Sequence, residues 1–179
     1  MPGPYIQSWK KVSTIAKHIQ TQSEWEQTMA NRVMEQLRGE LYLDQRYLTA
    51  ALGALPAAPR ESGGSFATDG GALYYPTAWL LDTYRRNRRY LPRAYLHSLF
   101  HCIFRHLWLR DRRDPDLWGL ACDIAVEATL DTLNTPAAKR PVGWVRQQCY
   151  AQLRAQIFSG EIAAGQRHEL IVGDPGPGQ

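Results

Sequence analysis

The apolar positions of the chain follow a helical spacing over most of its length. This spacing predicts amphipathic helices, and it occurs in residues 13–55 (as two segments), 77–90, 93–110, 117–133 and 142–158. In the first of these stretches, Ser23 is the predicted N-cap and Gly39 a predicted break. The pattern therefore predicts a chain built mainly from helices.

The helix predicted over residues 93–110 is apolar around most of its circumference. Its apolar positions are Leu96, Leu99, Phe100, Ile103, Phe104, Leu107 and Trp108. A helix that is hydrophobic on nearly all sides is buried within a protein. We therefore expect this helix to lie in the core, with a charged turn (RDRRDPD) leading to the helix predicted over residues 117–133.

The pattern changes between these helical stretches. In residues 64–75 the turn dipeptide Asp69-Gly70 is flanked by short runs of β-prone residues, which predicts a small hairpin. Asp69 either lines a site or shapes the turn, and the turn is the favoured interpretation. The preceding PAAPRESGGS is predicted to be a loop. Pro76 and Pro92 bound the next predicted helix. The predicted fold class is mainly α with a small β element (α+β).

Composition is that of a globular protein. The 179 residues are 44% hydrophobic and 21% charged, which suits one domain, predicted over residues 1–165. The ending GDPGPGQ predicts a flexible tail or linker over residues 166–179. No apolar run reaches the roughly 18 residues needed to span a bilayer, and no secretory signal begins the chain. With three dispersed cysteines read as reduced, a cytoplasmic location is expected.

Part of the net charge of +4 is concentrated in one run of five arginines, YRRNRRYLPR. Such a run can contact the phosphates of nucleic acid or another acidic partner. A solvated helix end before a proline is the favoured interpretation, because no aromatic-interleaved groove or known binding motif accompanies the run.

The stretch YLHSLFHCIFRH contains candidate metal ligands. His97 and His101 are four residues apart, which places them about 40° apart around a helix and one turn along it. Two imidazoles in this arrangement can bind one ion, and zinc is the expected metal. His106 lies about 140° further round and joins the same ion only if the helix ends or bends before it.

The helix predicted over residues 117–133 contains the motif CDIAVE, in which Asp123 and Glu127 are also four apart. An antiparallel pair of helices could close a shell of two histidines, an aspartate and a glutamate. Two simpler interpretations remain open at this point. The histidines can be ordinary core or surface residues, and the acidic positions can belong to a solvated stripe formed by Asp116, Asp123, Glu127, Asp131 and Asn134.

Three segments, TDGGALYYP, HSLFHCIFRH and WGLACDIAVE, occur in this order within residues 66–133. In order and spacing they resemble the N-terminal metallopeptidase-like, zincin-like domain of bacterial VWA-like domain proteins. The resemblance implies a zincin-like, mainly helical fold with a small sheet, in which the H-x-x-x-H helix of this chain would pack on its D-x-x-x-E helix. It also implies that His97 and His101 bind metal, with Asp123 or His106 as third ligand. The implied partners are a VWA domain and a MoxR-type AAA+ ATPase, and the chain would be a fragment or a stand-alone variant.

Two departures from the family pattern concern the chemistry. Ser98 stands where peptidase-like members carry the glutamate that serves as general base, and its hydroxyl cannot accept a proton near neutral pH. Glu127 stands where the family more often has Asn, and a carboxylate lost from one helix can thus be regained on the other. If Glu127 binds the metal, the site is closed and structural. If Glu127 instead activates water, it is the catalytic base.

Three functions follow from these alternatives. The favoured one is a zinc-binding metallopeptidase-like domain that is catalytically weak or inactive and acts as a scaffold or interaction module. The second is an active metal-dependent peptidase or hydrolase that uses Glu127 as general base on a peptide or protein substrate. The third, which needs no metal, is docking of nucleic acid or a partner through the arginine run.

Overall fold

The computed structural model describes residues 20–142, which form five α-helices and one three-stranded sheet. The helices are α1 (Gln22–Asp44), α2 (Thr49–Ala54), α3 (Thr77–Asn87), α4 (Tyr90–Ile103) and α5 (Pro115–Thr132), with a 3₁₀ turn at Arg46–Leu48. The strands are β1 (Ala57–Arg60), β2 (Ala67–Thr68) and β3 (Leu73–Pro76). The predicted fold class, mainly α with a small β element, is confirmed.

Three predictions fall wholly or partly outside the described residues. These are the start of the helical stretch predicted over residues 13–55, the helix predicted over residues 142–158 apart from its first residue, and the tail predicted over residues 166–179. Among the helices of residues 20–142, none is long and apolar enough to cross a membrane.

Helix α1 differs from its prediction at both its N-cap and its predicted break. Its N-cap is Thr21, not Ser23, because Thr21 forms a capping box with Glu24: each side chain accepts a hydrogen bond from the backbone N–H of the other residue. Gly39 does not break the helix. Buried Leu37 and Leu41 lie on either side of it, and their packing outweighs the roughly 1 kcal/mol helix penalty of a glycine.

The sheet has β3 in its centre. β2 pairs with β3 antiparallel, with Ala67 opposite Tyr74, so the predicted hairpin is confirmed. β1 pairs with the other edge of β3, in parallel. The prediction of a loop for PAAPRESGGS was wrong over the residues of β1. An edge strand tolerates Pro59 because only one of its two sides has to form a ladder of hydrogen bonds.

Asp69 forms the turn between β2 and β3 through its side chain. Its Oδ1 accepts hydrogen bonds from the backbone N–H groups of Gly71 (2.8 Å) and Ala72 (3.0 Å), and its Oδ2 accepts one from the Tyr74 hydroxyl (2.9 Å). These three donors stabilise the carboxylate and hold the pKa of Asp69 below its ordinary value. The contacts are those of a turn-forming aspartate.

The boundary between α3 and α4 differs from the prediction. α4 begins at Tyr90 and contains Pro92 at its third position, whereas the prediction placed the start after the proline. The first turn of a helix needs no intrahelical N–H donors, so a proline is tolerated there. Helix α5 begins close to its predicted start, with Asp114 as N-cap and Pro115 in its first position.

Helix α4 is the central helix of the fold, packed against α1, α2, α3, α5 and β2. Every residue from 93 to 100 is buried, which confirms the predicted core position for this part of the helix. The predicted end at residue 110 was wrong, because the helix ends at Ile103. The predicted core residues Leu107 and Trp108 therefore lie in the following turn, 43% and 53% exposed.

Replacing Gly70 by Ala is expected to lower the free energy of unfolding by about 1–3 kcal/mol. Gly70 has φ +89°, and a Cβ there would lie 2.2 Å from a ring carbon of Trp108, so both the backbone and the indole would be strained. Urea denaturation measures the loss. Gly64→Ala is the matched control, since nothing lies within 4 Å of its Cβ position. Equal losses in the two variants would contradict the prediction.

Replacing Asp69 by Asn is expected to lower stability and to flatten its dependence on acid pH. A carboxyl group whose pKa is lowered by folding stabilises the fold above its unfolded pKa, and this contribution disappears as the pH falls through the folded pKa. The stability difference between wild type and Asp69→Asn should therefore shrink once the pH falls below 3.8. Urea denaturation at about pH 6 and about pH 2 tests this, and an unchanged difference would rule it out.

Candidate metal centre

The candidate site lies between α4 and α5, whose side-chain contacts show that the two helices run in opposite directions. Towards the start of α4, Arg93 contacts Glu127 and Asp131. One turn later His97 contacts Asp123 and Glu127, so the contacts move backwards along α5 as α4 advances. The predicted packing of the H-x-x-x-H helix on the D-x-x-x-E helix is confirmed.

Three side chains meet at one point between these helices. The Nε2 atoms of His97 and His101 are 3.0 Å apart. The Oδ1 atom of Asp123 lies 3.3 Å from Nε2 of His97 and 3.0 Å from Nε2 of His101. These three residues form a group that could hold a metal ion. His97 is buried, while the side chains of His101 and Asp123 are partly exposed, so the group opens to solvent on one side.

The geometry of the group fits a small divalent cation. Nitrogen and oxygen ligands lie about 2.0–2.1 Å from zinc, and two ligands of a tetrahedral ion are then about 3.3 Å apart. The three observed separations are close to this value. Two imidazoles and one carboxylate are also a ligand set that zinc accepts, with the fourth position left open.

Glu127 lies behind His97 and outside this group of three. Its Oε1 is 2.8 Å from Nδ1 of His97, and its Oε2 accepts a hydrogen bond from Arg93 at 2.6 Å. Burial by itself raises the pKa of Glu127, but hydrogen bonds from His97 and Arg93 and their positive charge lower it to about 2. The residue predicted as a ligand or a catalytic base is thus an anion held between two partners.

Sequence reasoning did not identify Arg93, which it counted in the solvated arginine run. The side chain is completely buried, and besides Glu127 it donates to Asp131 at 2.9 Å and to the carbonyl of Ala138. A signal was available in the spacing. Arg93 lies four residues before His97 on α4, as Asp131 lies four residues after Glu127 on α5, which places all four on facing surfaces.

The end of α4 brings His106 back towards His101. Arg105 has φ +58°, its N–H donates to the carbonyl of Cys102, and the N–H of His106 donates to the carbonyl of His101. This pattern is a Schellman motif with arginine in the position usually held by glycine. From the sequence, His106 was expected near His101 only if the helix ended or bent before it. Helix α4 does end before His106.

His106 contacts the far side of the His101 ring. The two Nδ1 atoms are 3.3 Å apart. Nε2 of His101, on the opposite edge of the ring, faces His97 and Asp123. Burial, followed by the positive charge of His101, lowers the pKa of His106, so its ring stays neutral over a wider pH range and can accept a hydrogen bond. The Trp118 indole fixes the backbone here by donating to the carbonyl of His106.

Ser98, at the position of the family's catalytic glutamate, faces the protein interior. It is 8% exposed, and its hydroxyl donates to the carbonyl of Ala94 one turn earlier, at 3.4 Å. The hydroxyl is thus engaged with the backbone of its own helix.

A cavity of about 460 Å³ lies beside His101 and His106. Its other walls are formed by aromatic and aliphatic side chains and by the charged turn, among them Leu107, Trp108, Arg110, Asp111, Trp118 and Cys122. The group of three ligand atoms is therefore next to a space large enough for a small molecule or a few residues of a peptide.

Several side chains of the arginine run have acidic partners. Arg86 pairs with Asp82 at 3.0 Å, and Arg88 with Glu40 of α1 at 3.3 Å. Together with the burial of Arg93, these contacts reduce the positive charge that the run presents to solvent.

Comparison with known proteins identifies the family of the chain. No curated protein and no solved structure matches it. A family model described as "Putative metallopeptidase domain" matches residues 15–178, a span that contains all of α4 and α5 and hence the three grouped side chains. Since this match covers nearly the whole sequence, the chain belongs to the family that this model describes.

Proposed function

We propose that the chain is a zinc-binding domain in which His97, His101 and Asp123 are the metal ligands. The observation that carries this proposal is the mutual distance of 3.0–3.3 Å between their three donor atoms. Charged and polar atoms converge in this way at metal sites because the cation offsets the cost of removing them from water. Membership of a family described as a putative metallopeptidase domain supports the presence of a metal site.

The histidine ligands are oriented by neighbouring side chains in this proposal. Nδ1 of His97 donates to Glu127, and Nδ1 of His101 donates to the neutral ring of His106. A hydrogen bond at Nδ1 leaves the lone pair of Nε2 available for the metal. Glu127 and His106, both predicted from the sequence as ligands, are thus assigned to positioning the rings.

Catalysis by this domain is weak or absent in our proposal, and its role is that of a scaffold or interaction module. Ser98 has no carboxylate, and its hydroxyl is engaged within α4. Glu127 would have to leave Arg93 and His97, two strong partners, before it could act as a general base. A base must reach the proton that it removes, and neither residue meets this requirement in the observed geometry.

The second candidate function is metal-dependent hydrolysis of a peptide or protein. It is favoured by the count of three grouped ligands within residues 20–142 and by the adjacent cavity, since catalytic zinc sites have three protein ligands and an open position. A bound zinc ion would supply Lewis-acid activation of water. In this alternative Glu127 is the general base, as the sequence hypothesis has it.

The expected partners come from the resemblance to N-terminal domains of VWA-like proteins. They are a VWA domain and a MoxR-type AAA+ ATPase, and the proposed location is the cytoplasm, where cysteines remain reduced. Binding of nucleic acid is the less favoured role for the arginine run, given its ion pairs with acidic side chains.

The untagged protein is expected to bind about one zinc ion per chain, which elemental analysis after dialysis measures. Substitution of His97, His101 or Asp123 by Ala should each weaken zinc binding by about 100-fold or more, because two ligands rarely retain zinc. Asp116→Ala is the matched control, because it removes an exposed carboxylate from the first turn of α5, the helix that carries Asp123. A wild-type protein that binds no zinc when it is supplied in excess would overturn the proposed metal site.

The zinc-loaded protein is expected to cleave casein and unstructured peptides no faster than the His97→Ala variant does. The physical reason is that Ser98 has no carboxylate to accept a proton from water, and its hydroxyl donates to the carbonyl of Ala94. Release of fluorescent peptide fragments measures the rate. Turnover that disappears in Glu127→Gln, but persists in Asp131→Asn with zinc retained in both, would instead establish the second candidate function.

A further inference from the structure

Arg93 is a cation with no exposure to solvent, and its guanidinium joins α4 to α5. It donates to Glu127 at 2.6 Å, to Asp131 at 2.9 Å and to the carbonyl of Ala138 in the turn after α5. Taking such a charge out of water costs several kcal/mol unless it is paired with good geometry. The two carboxylates supply this pairing at Nη2 of Arg93.

The contacts continue from Arg93 to the candidate ligands. One oxygen of Glu127 accepts from Arg93, and the other lies 2.8 Å from Nδ1 of His97. On the opposite edge of the same ring, Nε2 of His97 meets His101 and Asp123. A buried cation, a buried carboxylate and a buried imidazole thus form a chain that ends at the proposed metal.

We infer that Arg93 is a positioning residue for metal binding: it fixes the Glu127 carboxylate, which in turn fixes the ring of His97. The inference rests on the proposed metal site. Metal–ligand distances must lie within about 0.2 Å of their preferred values, so a small rotation of the ring weakens binding. Glu127 resists this rotation better when its other oxygen is held, and Arg93 holds it from the far side.

Asp131, the second carboxylate that Arg93 contacts, provides a matched control. Asp131 accepts from Arg93, and it also accepts from Arg140 at 2.7 Å. It lies one turn beyond Glu127 on α5, on the side away from the metal ligands. Loss of Asp131 therefore disturbs the ion-pair network around Arg93 but leaves the contact between Glu127 and His97 in place.

The test compares Arg93→Met with Asp131→Ala in the full chain. The affinity for zinc is measured by competition with a chromophoric chelator, and the visible absorption of bound cobalt reports the geometry at the metal. Arg93→Met should weaken zinc binding about 10–100-fold and alter the cobalt spectrum. Asp131→Ala should change zinc affinity by less than about threefold, although urea denaturation shows a loss of stability in both variants.

A double variant tests whether Arg93 acts through Glu127, and it serves where Arg93→Met alone does not fold. Arg93→Met with Glu127→Gln removes both charges of the buried pair, and neutral replacement of such pairs is often tolerated. Its zinc affinity should equal that of Glu127→Gln alone. A further loss of affinity in the double variant would overturn the inference.

The inference and the proposed function fail in different ways. If the wild type binds no zinc, the proposed function is wrong. If the wild type binds zinc through His97, but Arg93→Met folds and binds it as tightly as Asp131→Ala does, only the role of Arg93 is wrong. An identical cobalt spectrum in Arg93→Met and wild type would lead to the same conclusion.

Discussion

The buried ion pair between Arg93 and Glu127 is the constraint on which the arrangement of α4 and α5 depends. Both side chains are almost completely removed from water, so a shift of either helix that separates them would leave an uncompensated charge, at a cost of about 3–5 kcal/mol. The observed register, which keeps this pair together, is also the one in which Asp123 faces His97 and His101. Helix packing and the candidate metal centre therefore share this contact.

The termination of α4 is a second constraint, and it acts from the other end of the site. If the helix continued past Ile103, the ring of His106 would point away from His101 by about 140°. The left-handed conformation of Arg105 reverses the chain within two residues and places His106 against His101. The site is thus bounded by two features of different kinds. Glu127 supports His97 through an ion pair that crosses between helices, and His106 supports His101 through a local backbone motif.

Helical spacing predicted much of the site, because residues four apart share a face whatever surrounds them. This is why His97 and His101 could be paired with Asp123 before any contact was known. Spacing does not resolve which atom of a side chain faces the ion, and so Glu127 was predicted as a ligand or a base. The burial of Arg93 was missed for a related reason: within a run of arginines, only the tertiary contacts of one member distinguish it from its solvated neighbours. Helix ends were also less predictable, since Pro92 is tolerated in a first turn.

The position of Glu127 also bears on whether its carboxylate can replace the one that is missing at position 98. From the sequence, a carboxylate on α5 looks like a replacement for the one lost from α4. In the structure, Glu127 lies on the Nδ1 edge of His97, and the grouped ligand atoms lie at the Nε2 edge. The imidazole ring separates the two, so a carboxylate on the Nδ1 edge can orient the ring but does not reach the side on which the three grouped atoms meet. The two positions are therefore not interchangeable. In the function that we propose, His97, His101 and Asp123 hold the metal, while neither Glu127 nor Ser98 places a proton acceptor on the metal's side of the His97 ring. This placement is the physical basis for proposing a binding role.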